Sequence, residues 1–222
     1  MARLHPALEQ ALPLLPGDRP IHLLTRHSVR ELATNGFADY RLPLTEEGIN
    51  MARDWGTRMP RPIAALHSSP VGRCLDTASL LYEGWAGTAS PPIAHESSLV
   101  EPGCFVEDLR LAGPQFFELG ILGFINQYLS EGMDGLLTLE DGVAKLVRYL
   151  HRREPPAGEM AIHVTHDTII AAFLGGLLGW RGLNERDWPW MMEGLWLWFD
   201  DGALHWIWRA EPGRLDVARW LD

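Results

Sequence analysis

The segment IHLLTRHSVR, residues 21–30, begins as an apolar run and ends in a cluster of arginine and histidine side chains. Its first half suits a buried strand, because it is short, apolar and preceded by Pro20. The same pattern returns in PIAALHSSP at 62–70 and in MAIHVTHD at 160–167, and each of the three segments is followed by helical spacing. After the second segment, Ser69 and Pro70 are a helix-start signal. The sequence therefore predicts an α/β fold with three layers, α/β/α, around a mostly parallel sheet.

The rest of the chain adds a helical insertion and a C-terminal β-hairpin to this plan. Apolar residues recur at helical spacing over about 114–131, with Phe117, Ile121, Phe124 and Tyr128 in register, and over about 139–152. The segment EGLWLWFDDGALHWIWRA, residues 193–210, alternates about an Asp-Asp-Gly turn and is typical of a hairpin. No linker is evident, so we expect a single domain over 1–222 with a cap-like helical excursion at about 105–152.

Composition excludes several classes of protein. The 222 residues are 46% hydrophobic and 22% charged, which is unlike a disordered chain. The net charge of −10 is unfavourable for binding to nucleic acids or anionic membranes. No apolar run reaches the roughly 20 residues that span a membrane. Prolines interrupt the first 20 residues, unlike a signal peptide, and the two cysteines fit a reducing compartment. We expect a cytoplasmic protein.

Unusual side chains follow the three predicted strands where each one ends. In an open α/β sheet, ligands bind outside the carboxyl ends of the strands. If the three strands are parallel neighbours, one spot collects three arginines, two histidines and one carboxylate: Arg26, His27 and Arg30 from the first, Arg73 from the second, His166 and Asp167 from the third.

Such a set suits a phosphoryl group. Guanidinium groups match phosphate oxygens, and each charge-assisted hydrogen bond contributes roughly 1.5–3 kcal/mol. A neutral imidazole can attack phosphorus, and a nearby carboxylic acid can protonate the departing oxygen. The residues therefore predict phosphoryl transfer through histidine, with no metal or other cofactor.

Four short motifs in this order resemble the histidine phosphatase superfamily, which has the phosphoglycerate mutase-like fold. TRHSVR, residues 25–30, resembles the family's Arg-His-Gly signature, and LTEEG, residues 44–48, resembles its Leu-Thr-x-x-Gly helix start. SSPVGRCLDTA, residues 68–78, matches the Ser-Pro-x-x-Arg-x-x-x-Thr-Ala segment. THDTII, residues 165–170, is similar to the His-Asp motif of the acid phosphatase branch.

The resemblance implies a role for each matched residue. His27 would be the nucleophile, and Asp167 the general acid. The groups that would hold the phosphoryl oxygens are Arg26, Arg30, Arg73 and His166.

Two positions depart from the pattern. Ser28 stands where the family has glycine, and Leu32 stands where the acid phosphatase branch usually has proline. The mutase-like branch takes its proton from a glutamate after the second helix, and Glu101, in ESSLVEPG, could fill that place. The proton donor is therefore Asp167 or, alternatively, Glu101.

The leading hypothesis is a phosphatase acting on a small phosphorylated molecule. The alternatives are a phosphomutase that uses the same phosphohistidine and a non-catalytic protein that binds a phosphorylated ligand. A metal centre is disfavoured, because His163 and His166 lie three apart on a predicted strand and point to opposite faces. His67 and His163 are expected to be structural.

Seven of the ten tryptophans lie between residues 180 and 208. Tryptophans paired across a hairpin stabilise a sheet and cover its edge. An exposed aromatic patch that forms a homodimer is the alternative. The expected partner is otherwise a small-molecule phosphoester, with no nucleic acid and no membrane.

Overall fold

The computed structural model describes residues 3–32, 40–100 and 103–221. Within them a seven-stranded sheet runs in the order β3-β2-β4-β1-β5-β6-β7. Its strands are β1 Ile21–Arg26, β2 Ile63–Ser68, β3 Ala94–His95, β4 Met160–Thr165, β5 Gly194–Asp200, β6 Ala203–Trp208 and β7 Glu211–Asp216. The helices are α1 Ala7–Ala11, α2 Glu46–Gly56, α3 Gly72–Ala86, α4 Leu109–Glu131, α5 Leu139–His151, α6 Asp167–Leu178 and α7 Ala218–Leu221.

The sheet has a parallel half and an antiparallel half. Strands β3, β2, β4 and β1 pair in parallel, whereas β5, β6 and β7 continue the sheet from β1 in antiparallel pairs. The three strands predicted from the sequence all lie in the parallel half. The predicted hairpin is present as β5 and β6, joined at Asp201 and Gly202, which both have the positive φ that a tight two-residue turn requires.

Helices cover both faces of the sheet, which confirms the three-layer α/β architecture. Helices α1, α2 and α3 pack on one face around the fully buried Trp55, and α4 to α7 pack on the other around Leu146 and Phe173. Successive side chains of β1 point to opposite faces of the sheet. Leu23 therefore packs in the core under α1 to α3, and Leu24 packs in the core under α4 to α7. Among the described residues, no helix is long and apolar enough to cross a membrane.

Three local expectations need correction. Ser69 and Pro70 were expected to start a helix, but α3 begins at Gly72, with Val71 as its N-cap. The hairpin is extended by a third strand, β7, which contains Pro212 at the sheet's edge, where its missing N–H is tolerated.

The third correction concerns the register of α4, in which Phe117 and Ile121 were expected to share a face with Phe124 and Tyr128. Phe117 is 64% exposed and Ile121 38%, whereas Phe124 and Tyr128 are buried. The cause is Gly120, whose φ of 67° breaks the helix into two segments. The two halves therefore do not share one apolar stripe.

Candidate active site

The central strand β4 brings the three predicted clusters together. It pairs with β1 on one side, where Arg26 faces Thr165, and with β2 on the other, where Ser68 faces Val164. The three parallel strands therefore end side by side, and each chain continues directly into one part of the site.

His27 follows β1 and is buried. Its Nδ1 lies 2.7 Å from the carbonyl oxygen of Ser28, which only accepts, so Nδ1 carries the proton and donates. Its Nε2 accepts a 2.9 Å hydrogen bond from Nε of Arg73, a group that only donates. Both contacts require the same tautomer, in which the lone pair of the imidazole is on Nε2.

The surroundings of His27 keep its ring neutral. Burial lowers its pKa well below the usual value, and the charges of Arg26 and Arg73 lower it further. A neutral ring at physiological pH has a lone pair free to act as a nucleophile.

His166 is the residue immediately before α6, and its ring lies 5.6 Å from that of His27 between centroids. Its Nε2 lies 3.0 Å from Oγ of Ser69 and its Nδ1 lies 3.5 Å from NH2 of Arg73. Burial, followed by the charge of Arg73, lowers its pKa to about 3. The same hydroxyl of Ser69 also accepts from the backbone N–H of Val71, the N-cap residue of α3, at 3.4 Å.

Asp167 opens α6, and three donors surround its carboxylate. Arg26 forms a 2.5 Å ion pair with Oδ2, the indole Nε1 of Trp188 lies 3.2 Å from the same oxygen, and the backbone N–H of Thr168 donates to Oδ1 at 3.0 Å. Burial raises the pKa of this carboxyl, but the charge of Arg26, with His27 and Trp188, outweighs burial and holds it below the usual value.

The other two predicted arginines differ in their surroundings. Arg26 is largely buried and also donates from NH1 to the carbonyl of Pro189 at 2.6 Å, but its Nε has no hydrogen-bond partner among the described residues. Arg30 is half-buried, and its NH1 donates to the carbonyl of Glu31 at 2.8 Å. Its charge is one of the causes that lower the pKa of His166, so it lies within electrostatic range of the site.

Two residues that the sequence did not indicate also contact the site. Trp188 lies 21 positions after Asp167, in a loop without a motif, so no local signal identifies it. Tyr40 is exposed, with its ring 5.8 Å from the guanidinium of Arg73 and 6.3 Å from the ring of His166. Glu101, the alternative proton donor, lies outside the described residues.

The histidines expected to be structural form a separate group, here called the buried histidine cluster: His22, His67 and His163, with Tyr149. His163 lies 3.0 Å from His22 and 3.1 Å from the hydroxyl of Tyr149, and His67 stacks on it at 4.8 Å. Burial, then the charges of its histidine neighbours, lowers the pKa of His22 to about 3. Both ring nitrogens of His163 have partners inside the cluster, whereas Nε2 of His22 has no hydrogen-bond partner among the described residues.

Across the described parts of the chain, no group of three or more His, Cys, Asp or Glu side chains is arranged to hold a metal ion.

Comparison with known proteins gives a family and a fold. The family model "Histidine phosphatase superfamily (branch 1)" matches residues 22–194. None of the curated protein sequences matches the chain significantly.

Solved structures match along most of their length at low sequence identity. A phosphoglycerate mutase from Bacillus anthracis is 15% identical, with a TM-score of 0.54 and coverage of 92% of this chain and 97% of that one. An Entamoeba histolytica phosphoserine phosphatase mutant in complex with phosphoserine is 18% identical, with a TM-score of 0.56 and coverage of 91% and 99%. A mycobacterial glucosyl-3-phosphoglycerate phosphatase in complex with VO3 is 18% identical, with a TM-score of 0.53 and coverage of 86% and 100%. These likenesses establish the fold alone.

Proposed function

The chain belongs to branch 1 of the histidine phosphatase superfamily, and we propose that within it the protein is a metal-independent phosphomonoesterase. It would hydrolyse a small phosphorylated molecule through a phosphohistidine at His27. The contact of Arg73 Nε with His27 Nε2 supports this proposal most directly, because it identifies the ring atom that carries the lone pair. In the first step Nε2 attacks phosphorus, an N–P bond forms, and the ester P–O bond breaks with its electron pair passing to the leaving oxygen.

The second step returns the protein to its starting state. Water passes a proton to the Asp167 carboxylate as its oxygen bonds to phosphorus, and the N–P bond breaks with its electron pair returning to Nε2. Inorganic phosphate then leaves, and Asp167 releases the proton to solvent. The proton on Nδ1 of His27 stays in place throughout, held by the Ser28 carbonyl. The tautomer that starts the reaction is thus the one restored at its end.

The arginines supply the charge that the phosphoryl group requires. Arg73 lies against the nucleophilic atom itself, so its guanidinium can move from Nε2 to a phosphate oxygen when phosphorus takes that position. Arg26 has a buried donor, Nε, that is uncommitted among the described residues, which is the feature expected of a group that awaits an anionic ligand. Arg30 adds a third positive charge at the half-exposed rim.

Asp167 is assigned as the proton donor. In the unliganded protein, Arg26 keeps this carboxyl ionised, which is the wrong state for an acid. A bound phosphate would compete for the Arg26 guanidinium and bring its own negative charge close to the carboxylate. Both effects raise the pKa of Asp167. The acid would therefore take up its proton as the substrate binds, and would pass it to the leaving oxygen.

A quench experiment with an aryl phosphate tests the mechanism. Rapid quenching at alkaline pH, where phosphohistidine survives, followed by mass spectrometry of peptides should locate a phosphate on His27. The phosphate should be absent from His27→Ala and present in the control His95→Ala, which changes an exposed histidine. Turnover without phosphate on His27 would overturn the mechanism, and binding of the ester without turnover would indicate the non-catalytic alternative.

Product analysis then separates hydrolysis from isomerisation. A phosphomonoesterase releases one inorganic phosphate for each alcohol, and a chelator does not change the rate. An isomerised phosphoester without free phosphate would instead identify a mutase.

A further inference from the structure

The loop that carries Trp188 runs between α6 and β5 over residues 184–193 and is called here the indole loop. It contacts both members of the Arg26–Asp167 ion pair: the carbonyl of Pro189 accepts from Arg26, and the indole of Trp188 donates to Asp167. The loop therefore sits against the carboxyl group that the proposed function uses as its acid.

Arg209, in the turn between β6 and β7, binds the indole loop at three places. Its NH1 donates to the carbonyl of Arg186 at 2.7 Å and its NH2 to the carbonyl of Trp188 at 3.2 Å. The same guanidinium pairs with the buried carboxylate of Glu193 at 2.8 and 3.1 Å. Glu193 in turn accepts from the backbone N–H of Trp190 at 2.8 Å. One side chain thus fixes both ends of the loop.

The backbone at Arg209 is strained. Arg209 and Ala210 form the turn between β6 and β7 with φ values of 50° and 63°, a left-handed conformation that disfavours both residue types. The turn between β5 and β6 places a glycine, Gly202, at one of its positive-φ positions, whereas this turn has none. Such a conformation persists where the surrounding structure holds it, and here the hydrogen bonds of Arg209 to Glu193 and to the indole loop do so.

We propose that Trp188 is a positioning residue for the proton donor Asp167 and that Arg209 acts through Trp188 by fixing the indole loop. This inference rests on the proposed function, since it concerns the acid of that reaction.

The chemistry of the indole explains why a tryptophan suits this place. An indole N–H donates and never accepts, so it cannot take the proton of Asp167. Both Arg26 and Trp188 donate to the same oxygen, Oδ2. When Arg26 turns to a phosphate, the lone pair of Oδ2 that accepted from Arg26 becomes free to take a proton. The other lone pair of Oδ2 still accepts from the indole of Trp188. The proton then sits where Arg26 was, on the side from which the phosphate approaches.

The test is Trp188→Phe, which keeps an aromatic ring and removes the N–H. The matched control is Trp190→Phe, in the same loop, whose ring packs on His5. With an alkyl phosphate, whose leaving group needs a proton, we expect kcat of Trp188→Phe to fall about tenfold or more. The basic limb of its pH profile should move upward by about one pH unit, because the lost hydrogen bond favoured the ionised carboxylate. With an aryl phosphate, kcat should stay within about twofold.

Arg209→Lys is the second variant. It keeps a positive charge beside Glu193 but loses the guanidinium that donates to the carbonyls of Arg186 and Trp188. It should shift the pH profile in the same direction by less, and should add nothing to Trp188→Phe in the double variant. If Trp188→Phe behaves like Trp190→Phe in both substrates, the inference is wrong. If Asp167→Asn itself hydrolyses the alkyl phosphate at the normal rate, the assignment of Asp167 as the acid fails instead.

Discussion

Arg26 and Asp167 form a 2.5 Å ion pair even though they come from different strand ends, one closing β1 and the other opening α6. The pair is almost shielded from water, with each side chain 12% exposed. A carboxylate held in this way stays ionised until another anion competes for its guanidinium. Asp167 therefore carries no proton while it is paired with Arg26. Binding of a phosphate would have to raise the pKa of this carboxyl before it could act as an acid.

The first prediction separates the two candidate proton donors. Asp167→Asn should lower kcat for an alkyl phosphate by about 10²- to 10⁴-fold, the usual contribution of a general acid, and should change kcat for an aryl phosphate much less. Glu101→Gln is the matched variant, measured with the same two substrates. A selective loss in Glu101→Gln, with Asp167→Asn unaffected, would reassign the donor to Glu101.

The second prediction concerns the planar guanidinium group of Arg73. Arg73→Lys keeps a positive charge but cannot hold both His27 Nε2 and a phosphate oxygen in one plane. We expect kcat/KM to fall about 10²- to 10³-fold, as for other donors that stabilise developing charge. The exposed Arg219, which pairs with Glu140, provides the control Arg219→Lys. Equal kcat/KM in the two variants would contradict the assigned role.

The third prediction addresses Ser28, the departure from the family's glycine. Its hydroxyl donates to the carbonyl of Gly48 at 2.7 Å, so the side chain is tied to the start of α2. Ser28→Ala should lower the free energy of unfolding by about 1 kcal/mol, the contribution of one such hydrogen bond. Denaturant titration measures this change. The quench experiment on the same variant should still find phosphate on His27, and its disappearance would show that the serine matters for chemistry.

The fourth prediction follows from the buried histidine cluster. The unfolded chain binds protons at these histidines below about pH 6.5, whereas the folded chain does not, because the pKa of His22 is about 3 and that of His163 is also well below normal. The free energy of unfolding should therefore fall as the pH is lowered from 6.5, by about 1.4 kcal/mol per pH unit for each such histidine.

Denaturant titrations between pH 7.5 and 5.5 measure this slope. His22→Leu should reduce it by the share of one histidine, whatever the change in absolute stability. A slope that is the same with and without this substitution would show that the cluster does not exclude protons.

Periodicity and strand-end chemistry predicted three of the four parallel strands, β1, β2 and β4, and the group of side chains that follows them. Both depend on local patterns: an apolar run such as Ile21–Arg26 and a functional residue within a few positions of its end. The edge strand β7 was missed because Glu211, Pro212 and Gly213 are typical of a turn, and only pairing with β6 makes them extended. The register of α4 was missed because Gly120 changes the direction of the chain, which the spacing of Phe117 and Phe124 does not record.

The contact between Trp188 and Asp167 was beyond sequence reasoning for a different reason. It joins the first residue of α6 to a loop that follows this helix. The shape of that loop depends on Arg209, 21 positions after Trp188. Neither Trp188 nor Arg209 belongs to a motif, and the ten tryptophans of the chain do not indicate which of them contacts a carboxylate. The position of a single polar atom on a large aromatic ring is decided by tertiary packing.

The place of β4 in the sheet has a consequence for how the molecule is made. The ribosome releases β1 and β2 long before Met160–Thr165, yet these two strands are never neighbours, because β4 separates them. Before β4 is made, no strand pairing holds His27 at bonding distance from Arg73, and only contacts with helices, such as that of Ser28 with Thr77, join the two segments. Contacts between segments so far apart along a chain form slowly and late. Affinity for inorganic phosphate would thus arise only after β4 has paired with both β1 and β2. Phosphate binding would then report that the sheet is complete, and not merely that the chain has become compact.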